Sequence, residues 1–164
     1  MILVTRWVDH ALSPAARVRA FARGQAEELA DFADGRVELK KTLRLTGRGR
    51  RLGVRERLSN RSGRRLRFLF ASEMNLNLKD AHVNRTGEVA GVRRFSVVDP
   101  LTKVKVNFAY GRPARLWCFP RESGSGARRS YQGACLTALW PVDLPPRGAW
   151  SVNWQLSLES PDAR

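Results

Sequence analysis

The chain is poor in the residues from which many active sites are built. Among 164 residues there are two histidines, His10 and His82, and two cysteines, Cys118 and Cys135. Two histidines exclude a histidine-rich metal centre. Two cysteines without a CxxC spacing make neither a zinc site nor a disulfide framework. Each cysteine sits in an apolar alternating stretch, Cys118 between Trp117 and Phe119 and Cys135 between Ala134 and Leu136. That placement reads as two buried free thiols in a reducing compartment. GRGRRLG (47–53) lacks the GK[ST] ending of a phosphate loop, and no GxSxG occurs. Neither histidine falls beside a cysteine to serve as its base. No metal, cofactor or catalytic residue set is expected. Long apolar runs are also missing. The start, MILVTRWVDH, is apolar for four residues and then charged, which fits neither a secretory signal nor a membrane span. A cytoplasmic location without a membrane partner is the expectation.

Negative charge is scarce. Fifteen acidic residues face 30 basic ones, for a formal charge of +15. Nearly all the bases are arginine, and ten fall between Arg44 and Arg67. A patch of this kind holds phosphates through charge alone. The segment contains no aromatic residue, whereas sequence-specific RNA readers stack bases on exposed aromatics. Non-specific polyanion binding is therefore expected, and an arginine-rich nucleic-acid-binding module is the weaker alternative. The accompanying Ala, Gly and Pro fit a GC-rich coding sequence that uses Arg for Lys.

What the chain does have is a period of two. A chain of this length suits one domain and buries about 70% of its unfolded surface without staples. From residue 36 onward, Val37, Leu39, Leu43 and Leu45 alternate with polar neighbours. The same period of two joins Leu66, Phe68, Phe70, Met74, Leu76 and Leu78; Val104, Val106, Phe108 and Tyr110; Leu136, Ala138 and Trp140, which alternate with Cys135, Thr137 and Leu139; and Trp150, Val152, Trp154, Leu156 and Leu158. Strict alternation predicts antiparallel strands with one buried face, and turns such as GRGRR (47–51) and NRSG (60–63) predict an all-β antiparallel sandwich. Residues 15–33, rich in Ala and Glu, read as one or two short helices broken at Gly24. The expected organisation is a partly helical or irregular lead-in over 1–35, a sandwich over 36–158, and a tail over 159–164. RESGSGARRS (121–130) reads as a surface loop.

The stretch ASEMNLNL (71–78) sets Glu73, Asn75 and Asn77 opposite Met74, Leu76 and Leu78. A carboxylate with two amides suits sugar hydroxyls or a hydrogen-bonded domain contact. Glycoside hydrolysis needs two carboxylates about 5–9.5 Å apart, and Glu73 with Asp99 is the best pair, since each follows an apolar strand pattern. The simpler reading pairs them with surplus arginines or a turn. Of five tryptophans, Trp150 and Trp154 share core parity. Trp117 and Trp140 are the two candidates for stacking on a sugar, although a core role competes for both.

Six blocks then resemble a known family. WVDHALSP (7–14), ADFADGRVEL (30–39), SEMNLNL (72–78), GVRRFSVVDPLTKVKVNF (91–108), RPARLWCFP (112–120) and YQGACLTALWPVDLPPRGAWSV (131–152) are similar, in the same order, to the C-terminal β-sandwich of α-amylases and 4-α-glucanotransferases of glycoside hydrolase family 57. The resemblance implies a galactose-mutarotase-like super-sandwich. It also implies a catalytic barrel domain or subunit as partner, with α-glucan as a candidate ligand. In that family the catalytic carboxylates lie in the barrel, and nothing in this chain matches it. The expectation is a non-catalytic accessory domain, present here as a fragment, a split subunit or a stand-alone relative. A small aldose-mutarotase-like enzyme is the rival. It needs a carboxylate base and a histidine acid, and Glu73 with His82 would have to supply both.

Overall fold

The computed structural model describes residues 2–6, 17–22, 25–32, 36–48, 50–77, 85–124 and 130–160, the first three segments by their backbone alone. They form ten strands: β1 (Ile2–Arg6), β2 (Arg17–Ala22), β3 (Gln25–Phe32), β4 (Val37–Thr46), β5 (Arg51–Asn60), β6 (Leu66–Leu76), β7 (Gly87–Val98), β8 (Lys105–Ser123), β9 (Ser130–Leu144) and β10 (Ala149–Glu159). The fold is all-β. Pairing is antiparallel except between β1 and β6.

Two layers arise because β8 changes partner midway. Its first part pairs with β10, from Lys105 opposite Glu159 to Tyr110 opposite Trp154. Its second part pairs with β9, from Arg115 opposite Leu139 to Ser123 opposite Ser130. The switch falls at Gly111-Arg112-Pro113-Ala114, where Pro113 has no N–H for a ladder. A Cβ on Gly111 would lie 3.1 Å from the Asn153 carbonyl oxygen, so the backbones come close there. β7 follows β8 along its other edge, with register shifts between Val89 and Arg94 around Gly91 at φ +72°. The first layer runs β2-β3-β4-β5-β10-β8 and the second β8-β9-β6-β1.

The alternating side chains meet between the layers. Val37, Leu39, Val54, Leu58, Phe68, Phe70, Val106, Phe108, Val152 and Trp154 are buried there, while Met74, Leu76 and Leu156 are half-buried near strand ends. Leu45, near the end of β4, is exposed. Trp140 lies 6.2 Å from Phe70, 6.0 Å from Tyr110 and 6.2 Å from Trp150, centroid to centroid, an aromatic cluster drawn from both layers.

One pair of inward positions is charged. Lys41 on β4 and Glu56 on β5 face each other in register, 2% and 0% exposed, with Nζ 3.5 Å from Oε1. The Trp154 indole N–H donates to Glu56 Oε2 at 3.0 Å, and Ser72 Oγ of the second layer donates to Oε1 at 3.1 Å. Asn60 plays a similar part at one end of the sandwich. Its Nδ2 donates to the Arg64 and Pro145 carbonyls at 2.7 and 2.9 Å, and its Oδ1 accepts from the Ser62 N–H and hydroxyl at 2.9 and 2.7 Å. The NRSG turn is thereby tied to the β9–β10 turn.

The helical expectation for residues 15–33 is corrected: residues 17–22 and 25–32 are strands. Ala and Glu favour helix only weakly. The outer edge of β4 offers an unpaired ladder that β3 fills over eight positions, from Gln25 opposite Arg44 to Phe32 opposite Val37.

Removing one member of the Lys41–Glu56 pair strands a buried charge. Lys41→Met or Glu56→Leu should each cost about 3–5 kcal/mol in urea unfolding, and the double substitution should recover most of that loss. Costs that simply add in the double variant would rule out the coupling. A second test concerns Gly133, at φ +151°, where a Cβ would sit 2.6 Å from the Leu76 carbonyl oxygen. Gly133→Ala should destabilise by about 2 kcal/mol. Gly63→Ala, which meets nothing within 4 Å, should stay within about 0.5 kcal/mol of the parent.

Candidate functional site

Opposite parity carries Glu73 and Asn75 to the outer face of the second layer. Register places Glu73 beside Thr137, Thr137 beside Trp117, and Trp117 beside Glu88, one row across β6, β9, β8 and β7. In the adjoining row Asn75 sits beside Cys135, and Cys135 beside Phe119. Asn75 Nδ2 donates to Glu73 Oε1 at 3.2 Å, while Asn75 Oδ1 is buried without a hydrogen-bond partner among the described residues. The Trp117 indole N–H donates to Glu88 Oε2 at 2.8 Å, and Arg115 Nε lies 3.3 Å from Glu88 Oε1. These contacts fix the half-buried Trp117 ring at the edge of this face, beside the exposed Phe119. Although they point outward, Ala71, Cys135, Thr137 and Leu139 are buried.

Three sequence candidates lie elsewhere. Asn77 is exposed just past the end of β6. Asp99 shapes the β7–β8 turn: its N–H donates to the Val104 carbonyl at 2.9 Å, its carbonyl accepts from the Lys103 N–H at 2.8 Å, and its Oδ1 accepts from the Leu101 N–H at 2.9 Å. The turn is at the β10 end of β8, in the first layer, so Asp99 is not brought together with Glu73. Trp140 corrects its candidacy as a stacking platform. It is 2% exposed, on the inward parity of β9 with Leu136 and Ala138, and its indole N–H points to the Arg112 carbonyl at 3.4 Å. His82, the acid required by the mutarotase alternative, lies outside the described residues, as does His10.

The opposite face of the molecule holds a site that the sequence reading passed over. On the outer side of the first layer, a recess of about 780 Å³ is lined by Arg44, Arg55, Arg93 and Arg94 together with Asn153 and Gln155. Its floor is low because Gly53, Ala109 and Gly111 carry little or no side chain. The signal was present in the alternation. Arg44, Arg55 and Arg57 hold the outward slots of β4 and β5, and Asn153 and Gln155 hold those of β10.

Among the described residues, no cluster of three His, Cys, Asp or Glu could hold a metal ion, and no helix is long and apolar enough to cross a membrane. Both cysteines are free. Burial pushes the Cys118 thiol upward. Burial also pushes Cys135 up, to about 11, with the Thr137 hydroxyl opposing and the Glu73 charge adding to the rise.

A continuous double-layer sandwich with these bends defines a galactose-mutarotase-like fold. Solved structures bear this out. The galactose mutarotase related enzyme from Lactobacillus acidophilus is 12% identical at a TM-score of 0.61, over 88% of this chain and 71% of that one. A putative aldose 1-epimerase from Escherichia coli K12 is 10% identical at 0.65, over 88% and 68%. The 4-alpha-glucanotransferase from Thermococcus litoralis is 20% identical at 0.65, over 87% of this chain but 22% of its own length. Residues 5–154 match the family described as alpha-amylase/4-alpha-glucanotransferase, C-terminal, and the chain belongs to that family. No curated protein matches the sequence. The chain thus spans about a fifth of the length of the T. litoralis enzyme.

The raised thiols give a direct test. At pH 8 a disulfide reagent such as DTNB should label the folded chain slowly, and should label two thiols rapidly once urea unfolds it. An unfolded thiol titrates near about 8.5, so the folded state holds the Cys135 proton over a higher range. Its contribution to stability is complete below that pH and declines as pH rises toward 11. Stability rising over that window would contradict the burial.

Proposed function

We propose that this chain is a non-catalytic accessory domain of an α-glucan-processing enzyme of the α-amylase/4-α-glucanotransferase type, and that it packs on a catalytic barrel domain or subunit. The family match over residues 5–154 carries the reading. The two faces support it. The recess on the first layer is lined by arginines and amides, with no carboxylate lining it among the described residues, whereas sugar chemistry runs on a carboxylate pair or a carboxylate with a histidine. On the second layer, Glu73 and Asn75 offer hydrogen-bonding groups in the same two rows as Trp117 and Phe119, two strands away across β9, a polar patch with an apolar margin as in domain contacts. We assign that face to the catalytic domain in preference to free α-glucan. The two free thiols suit a cytoplasmic setting. The high positive charge suits weak, salt-sensitive association with polyanions as a secondary property.

The test is a co-purification. The full chain should co-elute with a glucan-acting catalytic domain encoded beside it, and the double variant Glu73→Ala/Asn75→Ala should weaken that complex at least tenfold. Maltooligosaccharides titrated into the free chain should leave the amide signals of residues 73–77 unmoved. Saturable shifts there, lost in the double variant, would turn the face into a sugar site. Hydrolysis or transfer of maltooligosaccharides by the purified chain, abolished by Glu73→Gln, would overturn the accessory reading.

A further inference from the structure

The recess on the first layer is organised by register. Arg44 lies opposite Gly53, Gly53 opposite Gln155, Gln155 opposite Ala109, and Ala109 opposite Arg94. The row crosses five strands with an arginine at each end, a glutamine at its centre and small residues between. Beside it Asn153 is opposite Arg55. At the usual strand spacing the row spans about 19 Å, longer than a lone anion and suited to a short chain of sugars.

Several carboxylates whose side chains are described are committed elsewhere. Glu38 pairs with Arg61, Asp143 with Arg65 and Arg67, and Glu88 with Arg115. Among the described residues none pairs with Arg44, Arg55 or Arg94. The Arg93 Nη1 points only to the Gly111 carbonyl, at 3.4 Å. Like charges gathered on one sheet face repel, and a bound dianion relieves that repulsion. Guanidinium forks match phosphate oxygens in geometry as well as in sign. The ring systems of Tyr110 and Trp154 at this recess are buried on the core side, so it has no aromatic platform for a neutral glucan or for stacked bases.

We propose that this recess binds the phosphate monoester of a phosphorylated saccharide. Arg44 and Arg55, diagonal neighbours on β4 and β5, take the phosphate; Asn153 and Gln155 take neighbouring hydroxyls, and Arg94 at the far end of the row meets the saccharide beyond them. The saccharide part rests on the function proposed above; the phosphate part rests on the arginines. The source is either a phosphorylated α-glucan or a free hexose phosphate.

Calorimetry on the full chain at pH 7.5 and 150 mM salt tests this with five probes: a maltooligosaccharide 6-phosphate, the same oligosaccharide without phosphate, glucose 6-phosphate, inorganic phosphate, and a short single-stranded RNA. The phosphorylated oligosaccharide should bind at least tenfold more tightly than the unmodified one. That advantage should vanish in Arg44→Ala/Arg55→Ala and survive in Arg65→Ala/Arg67→Ala, with circular dichroism and melting curves showing both variants folded. At pH 5 the monoester loses most of its second charge, and affinity should drop several-fold. Equal affinity for glucose 6-phosphate assigns the site to a free sugar phosphate; a further gain from the oligosaccharide assigns it to the polymer. Equal binding of the unmodified oligosaccharide, inorganic phosphate matching every sugar phosphate, no saturable phosphate binding at all, or RNA binding more tightly and lost in the same variant would each overturn the proposal. Co-elution with the catalytic domain is read separately through Glu73 and Asn75, so either idea fails without the other.

Discussion

A carboxylate with no exposed surface has to be neutralised where it sits, and Glu56 meets that demand with groups from both layers. Lys41 supplies the charge from β4, Trp154 donates from β10 and Ser72 donates across the sandwich from β6. Desolvating two charges costs several kcal/mol per ion, so such a pair adds little net stability over apolar residues of the same volume. What it does add is selectivity. A one-residue slip of β5 against β4 would turn Glu56 outward and take it away from the buried Lys41. The register of the β4–β5 hairpin, and the way the second layer sits on it, are therefore tied to one polar contact.

That register in turn sets what the outer faces display. With Val37, Leu39, Lys41 and Leu43 inward, Arg44 must face out. With Val54, Glu56 and Leu58 inward, Arg55 and Arg57 must face out as well. The cationic recess is thus the reverse side of the core pattern. The second layer follows the same rule with a different outcome. Its inward residues, Phe70, Leu136, Ala138 and Trp140, leave Glu73, Thr137 and Trp117 on the other side. One molecule consequently presents an arginine-lined face and a mixed polar-aromatic face on opposite sides of a single core. β8 is the strand that serves both, by changing partner at Gly111–Ala114.

Strands from Val37 onward were legible because alternation is a local signal and burial enforces it. The family resemblance was legible too, since its blocks at 91–108, 112–120 and 131–152 fall in strands and turns that the fold needs. The lead-in was misread because its composition speaks for helix while its conformation answers to the edge of β4, a partner that no local window contains. For Trp140 the core role won, as its parity with Leu136 and Ala138 already indicated. Lys41 and Glu56 broke the apolar alternation at matching positions of one hairpin, and that coincidence was a readable sign of a buried pair. Asp99 had only an apolar strand before it to recommend it; Asp at the head of a tight turn binds its own backbone first.

The two faces also bear on how a domain of this kind would sit in a larger enzyme. A surface used for a permanent contact gains from being apolar at its centre and fully hydrogen bonded, because unmatched charge costs free energy when water leaves. The second-layer face comes nearer to that description: the half-buried Trp117 has its indole satisfied by Glu88 and stands beside the exposed Phe119. The first-layer face does not. Four arginines lining one open recess would need an equal density of carboxylates on any protein that covered them, whereas in solvent they remain hydrated and reachable. Electrostatics alone thus argues for an orientation in which the Glu73 face is turned inward to a partner and the arginine recess is left open to ligand.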